Sequence, residues 1–295
     1  MKKNITKYLL LALACLGLQS CLFQEENYFD DSSANRATAD VSRCGELLKG
    51  APNGWVMEYY VGKDYSLGGI TLLCRFDGQR VTMASQMSEA DETVSSLYSV
   101  KSEQATMLSF DTYNYLVHYF GQPQGSMSDD PNGTLGGDYE FIISSASAER
   151  IELKGKKYGN RIVMKALTED QTWKQYLTKI KKVEDDAFFY EYDLLMDGLY
   201  TGQMIRSNYT FIVTYYDEIG KVHQKTVPFM FTADGLRFHE PVTIDGQTMQ
   251  NFVWKNELIS FGCTDEGATG VKLAGVYTAG YQSYDYYPGT YQMDF

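Results

Sequence analysis

Asp111, Tyr113, Asn114 and His118 stand close together in the run Phe110-Asp111-Thr112-Tyr113-Asn114, followed by His118-Tyr119-Phe120. A carboxylate, a phenol, an amide and an imidazole offer hydrogen-bonding groups, an aromatic face and a titratable ring to a bound molecule. These four are the candidate binding residues. Each also has a structural use. Asp111 and Asn114 fall where a strand becomes a turn, and both side chains readily bond local backbone. His118 alternates with Tyr119 in an apolar segment, where a lone histidine is more often structural than a ligand. His223 and His239 lack an i,i+4 partner or a nearby cysteine pair, so no metal site is expected. Asp129-Asp130-Pro131-Asn132-Gly133 through Asp138 gathers oxygens but breaks the spacing of a calcium loop and reads as a solvated turn. There is no Gly-x-Ser-x-Gly, and no Gly-rich phosphate loop between a strand and a helix. Catalytic residues and cofactors are therefore not assigned.

Cys21 has a different chemistry. Lys2, Lys3 and Lys7 precede an apolar run from Tyr8 to Leu18, the layout of a secretory signal too short to span a bilayer. Leu18-Gln19-Ser20-Cys21 then resembles the bacterial lipobox, in which the cysteine is lipidated and becomes the first residue. Residues 1–20 are read as the signal peptide and Cys21 as the lipid acceptor. Cys15 is a rival, but Ala12-Leu13-Ala14 lacks the leucine three places back.

Removing a leader with three lysines and no acid takes the net charge from −12 to −15. So acidic a chain argues against nucleic acid and against electrostatic docking to anionic lipid. The lipid itself must provide the membrane attachment, and a multiply acylated cysteine holds firmly. Tyrosine is abundant, at 24 residues against 6 prolines, which favours pleated β structure. Cys44, Cys74 and Cys263 read as buried small hydrophobes, with one disulfide as the alternative.

Residues 21–33 form an acidic tether containing Gln24-Glu25-Glu26 and Asp30-Asp31. Ala37, Val41, Cys44, Leu47 and Leu48 then recur at helical steps, predicting an amphipathic helix over 34–49 with Ser32 or Ser33 as its cap. Strands are expected at 55–61, 70–76, 80–83, 97–101, 107–110, 115–120, 139–144, 151–154 and 161–165. Thr168-Glu169-Asp170-Gln171 reads as a capping box before a second helix over 169–182.

The second half resembles the first in pattern. Trp55–Tyr60 matches Phe211–Tyr216, Asp77-Gly78 matches Asp234-Gly235, and the hairpin through Lys101 matches that through Lys255, at offsets of roughly 150 residues. The expected fold is mainly β with two amphipathic helices, in two related helix-plus-antiparallel-meander units, sandwich or barrel-like. The units are 34–182, closing on the second helix, and 183–261. After Phe261 too few residues remain, with 262–295 a loop and Tyr-rich tail, so the expectation is that the second unit is incomplete or that the chain is cut before a natural end.

The blocks Phe110–Asn114, His118-Tyr119-Phe120 and Gly137-Asp138-Tyr139-Glu140-Phe141, with Ser95–Tyr98, Leu153–Lys157 and Asn53-Gly54-Trp55, carry a resemblance. Over about residues 21–261 the chain resembles an uncharacterised lipoprotein family of Bacteroidetes, domain of unknown function 4302. The resemblance implies an outer-membrane lipoprotein and no known activity or site residues. The acidic pair after Cys21 resembles the surface-export signal of such lipoproteins, implying display on the cell exterior. The expected function is a non-enzymatic binding or presentation module in nutrient capture, working beside outer-membrane uptake machinery. Its ligand would be a glycan, a peptide or haem. The alternatives are a degradative hydrolase with a carboxylate site, and a structural or adhesive surface subunit.

Overall fold

Apolar residues alternate with polar ones along most of the chain, and the alternation closes into two antiparallel barrels of eight strands each. The computed structural model describes residues 32–123, 133–217 and 219–277. The signal segment, Cys21, most of the tether, the turn around Asp129-Asp130 and the tail beyond Tyr277 lie outside the described residues. The chain divides into Met1–Ala39 and Asp40–Phe295, and both barrels belong to the second unit.

The first barrel runs β1 (Trp55–Val61), β2 (Gly68–Phe76), β3 (Arg80–Ser85), β4 (Val94–Ser102), β5 (Thr106–Phe110), β6 (Glu140–Ala146), β7 (Arg150–Gly155) and β8 (Arg161–Ala166). It closes where β8 pairs with β1, Ala166 opposite Trp55 and Val163 opposite Glu58. Alternation sends Trp55, Met57, Tyr59 and Val61 into the core, so Glu58 and Tyr60 face outward. Helix α1 (Ser33–Lys49) lays Leu48 on that core, and its carbonyl accepts from Trp55 Nε1 at 2.9 Å. Contacts of Asp40 with Thr106 and of Arg43 with the Ala146 carbonyl place residues 40–49 of α1 at the end of the barrel where β5 begins. The other end takes helix α2 (Tyr115–Gly121), whose Leu116, Val117 and Phe120 join the same core.

The second barrel runs β9 (Glu191–Met196), β10 (Leu199–Ser207), β11 (Thr210–Tyr216), β12 (Val222–Phe231), β13 (Gly235–Ile244), β14 (Gln247–Lys255), β15 (Ser260–Cys263) and β16 (Val271–Val276). Helix α3 (Trp173–Asp186) serves both barrels. Trp173 and Leu177 pack on the outer wall of the first with Val56 and Leu73, while Ile180 and Val183 enter the core of the second. One stripe at i, i+4, i+7 and i+10 thus joins two cores.

Five expectations are corrected. The second unit is not incomplete: β16 pairs with β9 along its length, Val271 opposite Met196 and Val276 opposite Glu191, and closes the barrel. Its strands run to residue 276 rather than stopping at 261, and β9 and β10 precede the segment matched to β1. Residues 115–120 are helical, because Asn114 caps them: its side chain accepts from the Leu116 N–H at 3.2 Å. The capping box of α3 is Thr172 with Gln175, one turn after the expected one. The Asp-Gly turns also differ in place, joining second to third strands in the first barrel and fourth to fifth in the second. Two helix-plus-barrel units are present, but the motif alignment is two strands out of step with the helices. The three cysteines are buried and free.

Candidate functional site

The β5–α2 corner gathers the four candidate binding residues. Asp111 accepts from the Ser99 hydroxyl at 3.1 Å. Asn114 is fully buried; besides capping α2 it donates through Nδ2 to Ser96 Oγ at 3.1 Å. His118 accepts the Asn114 backbone N–H at Nδ1, 3.2 Å away, and its ring stacks on Tyr139 at 4.5 Å. Burial pulls the His118 pKa below its ordinary value, so the ring is neutral near pH 7. Tyr113 is 59% exposed and Tyr139 is 41% exposed. The corner therefore offers two tyrosine faces, while the amide and the imidazole Nδ1 serve the fold.

A larger site lies where the two barrels meet. The β7–β8 hairpin turns Ile151, Leu153, Ile162 and Met164 inward. Its outer face is left with Arg150, Glu152 and Lys154 on one strand and Arg161, Val163 and Lys165 on the other. Opposite stands β13. Its register breaks between Arg237 and Val242, a bulge containing Pro241, which has no N–H for a ladder. Gln250 Nε2 donates to the freed carbonyls of Phe238 and His239, at 3.2 and 3.4 Å. Between hairpin and bulge is a cleft of about 500 Å³.

At its floor Glu58 of β1 accepts from Lys165 at 2.8 Å and from Arg237 of the other barrel. Glu58 is 9% exposed and Arg237 18%. Burial opposes the Arg237 charge, but the Glu58 hydrogen bond and charge outweigh it and hold the guanidinium above the usual arginine value. Tyr60 donates to the Arg237 carbonyl at 3.4 Å, a second tie between the barrels. His239 lies against the rings of Tyr60 and Tyr65, with centroids 4.3 and 4.0 Å apart. Burial first, and then the charges of Arg237 and Arg161, depress its pKa against the pull of Glu240 and Glu58, so it adds no charge near pH 7. Asp64 and Tyr65 are both left-handed, at φ 53° and 57°. Such strain persists only where the surroundings fix it.

At the cleft mouth Arg150 and Arg161 share Glu152, at 3.0–3.3 Å. Four cations, Arg150, Arg161, Lys165 and Arg237, line the cleft against Glu58 and Glu240. That is a locally cationic surface on a chain of net charge −12. Among the described residues no cluster of His, Cys, Asp and Glu suits a metal ion. Sequence reasoning missed this site because its parts are remote; Glu58 and Arg237 are 179 residues apart. The one local signal was the polar face of residues 150–165, basic at four positions out of six.

The fold and the cleft define a two-barrel protein with a polar seam. Residues 25–256 match the model of the family described as Domain of unknown function (DUF4302), and the chain belongs to that family. No curated protein matches. Among solved structures, a DNA polymerase III subunit beta sliding clamp from Bartonella birtlesii is 10% identical, over 81% of this chain and 66% of that one, just under two thirds of its length. Its TM-score of 0.12 means the likeness carries no argument.

Proposed function

We propose that the protein is a lipid-anchored lipoprotein of a Bacteroidetes outer membrane, facing the cell exterior, that binds a ligand in the seam between its barrels without transforming it. Such a module would hold nutrients for the outer-membrane uptake machinery. The anchor is Cys21, supported by the lipobox-like Leu18-Gln19-Ser20 before it, and the acidic Gln24-Glu25-Glu26 supports export to the outer face. No described helix is long and apolar enough to cross a membrane. The observation that carries the binding reading is the cationic cleft, walled by strands of two closed barrels and therefore held in shape without a ligand.

A hydrolytic reading needs a carboxyl free to give or take a proton. Glu58, the deepest acid of the cleft, accepts from two cations instead. An adhesive reading through a sheet edge needs an unpaired strand, and both barrels close on themselves. Two measurements test the proposal. Cys21→Ala should leave the protein unprocessed or soluble; normal membrane partitioning of that variant removes the anchor. Protease shaving of intact cells should cleave wild type, and an alanine triple variant at residues 24–26 should be protected. If neither is cleaved beside a surface control, the outward orientation is lost.

A further inference from the structure

We infer that the seam cleft takes an anionic saccharide, a sugar chain bearing carboxylate or sulfate groups; this rests on the reading of the cleft as a binding site. The cations fall into two sets. Arg237 spends its charge on the buried Glu58 and ties the barrels together, and Lys165, of the same barrel as Glu58, bonds the same carboxylate. Arg150 and Arg161 are 44% and 64% exposed and are only partly engaged. Among the described residues, Arg150 bonds Glu152 through Nε and Nη2, and the Arg161 side chain bonds it through Nη2 alone. Nη1 of both and Nε of Arg161 remain to meet an oxyanion. Charged N–H donors suit carboxylate and sulfate oxygens, and both guanidiniums stand on a barrel hairpin that fixes their spacing.

The rest of the lining suits hydroxyl-rich neighbours of those anions. The Tyr65 hydroxyl accepts from the Arg161 N–H at 3.4 Å, leaving its own O–H to donate. Glu240 lines the same cleft and repels a continuous run of negative charge, so the anions must be spaced by neutral groups that its carboxylate can bond. A sugar chain has that alternation. A peptide is less well served: the closed barrels offer no strand edge, and Val163 and Pro241 are the aliphatic lining beside the rings of Tyr60 and Tyr65. Haem would need an accessible imidazole, and His239 is packed against two tyrosines.

The test is calorimetric titration of the detergent-solubilised protein with tetragalacturonate, its fully methyl-esterified form, a sulfated tetrasaccharide and an acidic peptide of equal charge. Either acidic saccharide should bind, at least tenfold tighter than the neutral ester and the peptide, and more weakly as salt is raised. Arg150→Gln with Arg161→Gln should weaken it at least tenfold, with an unchanged melting temperature because both side chains are exposed. The single Arg161→Lys, which keeps the charge but loses the guanidinium's Nε and Nη1 donors, should fall between. If the ester or the peptide binds as well and still depends on Arg150 and Arg161, the saccharide inference is overturned and the cleft stands as the site. If no probe binds, or none responds to the double variant, the cleft reading falls with it.

Discussion

In the first barrel the end beyond β5 is filled by a whole helix, whereas in the second a single buried arginine lies beside the end of β10. Between β5 and β6 the chain forms α2, bringing Leu116, Val117 and Phe120 into the core. The second barrel has only short connections, and its core is dense in rings: Phe211 stacks on Phe229 at 4.3 Å, with Phe231, Phe238 and Phe261 nearby. Arg206 closes that core at 1% exposure. It donates to the carbonyls of Ala187 and Asn208 at 3.1 and 3.0 Å and lies 4.9 Å from the Phe231 ring centroid. The same strand count is thus compatible with an apolar plug or a charged one. The charged one leaves its barrel sensitive to one side chain.

The strongest way to break the comparison is Arg206→Ala. It removes the guanidinium 3.6 Å from Glu184 and its bonds to the Ala187 and Asn208 carbonyls, and it empties a fully buried site, so it should cost about 3–5 kcal/mol. Arg206→Met, which keeps the bulk, should cost less. Chemical denaturation of both variants checks this, and equal losses would mean that the charge is incidental.

Glu184 sharpens the same contrast through pH. Burial pushes its pKa up to about 7, against the opposing influence of Arg206 and the 2.8 Å hydrogen bond from Tyr209. The folded chain therefore keeps a proton that the unfolded chain releases above the ordinary glutamate value of 4.5. This contribution to stability is full below pH 4.5 and is lost as pH rises through 7, with a limiting slope of about 1.4 kcal/mol per unit. Glu184→Gln should flatten the fall in stability between pH 5 and 8 by about 2–3 kcal/mol. Parallel pH profiles for wild type and variant would place Glu184's proton elsewhere.

The first barrel should respond to its own cap. Asn114→Ala removes the N-cap of α2 and the bond to Ser96, a loss of about 2 kcal/mol. Hydrogen exchange should rise in α2 and β4 while β9–β16 stay protected. A loss spread evenly over both barrels would show that they unfold as one.

These devices differ in how legible they were. The amphipathic α1 and α3 follow from apolar residues at three- and four-residue steps, and most strands from alternation. The six residues 115–120, nearly all apolar, fit either period, and only Asn114 as a cap marks them as helix. The Asp197-Gly198 turn between β9 and β10 is the same signal as Asp77-Gly78, but a repeat anchored at Phe211 passed over it. β16 looked like a Gly-rich loop because glycine is ambiguous. A Cβ at Gly275 would lie 2.6 Å from the Phe189 ring, and one at Gly270 would lie 2.0 Å from the Asp197 carboxylate. Those glycines permit close approach in the strand and in the turn that leads into it. The candidate corner at Asp111–His118 was legible because it is local; the seam was not, because closure of two barrels creates it.

The smallest expected effect compares two half-buried isoleucines, one from each barrel. Ile143 on β6 packs against the first core in extended backbone, and Ile259 before β15 packs against the second. Ile259 is left-handed, at φ 50° and ψ 44°, a conformation that costs a β-branched residue about 1–2 kcal/mol. It is held there because its carbonyl accepts from the Gly275 N–H at 2.9 Å, tying the turn to the closing strand. Ile143→Gly loses packing and strand preference together and should cost about 2–3 kcal/mol. Ile259→Gly loses similar packing but releases the strain, so its net cost should stay below about 1 kcal/mol. Urea midpoints of the two variants decide it. Equal costs would mean that the turn at Ile259 relaxes in solution and that β16 is less firmly held than the ladder to β9 requires.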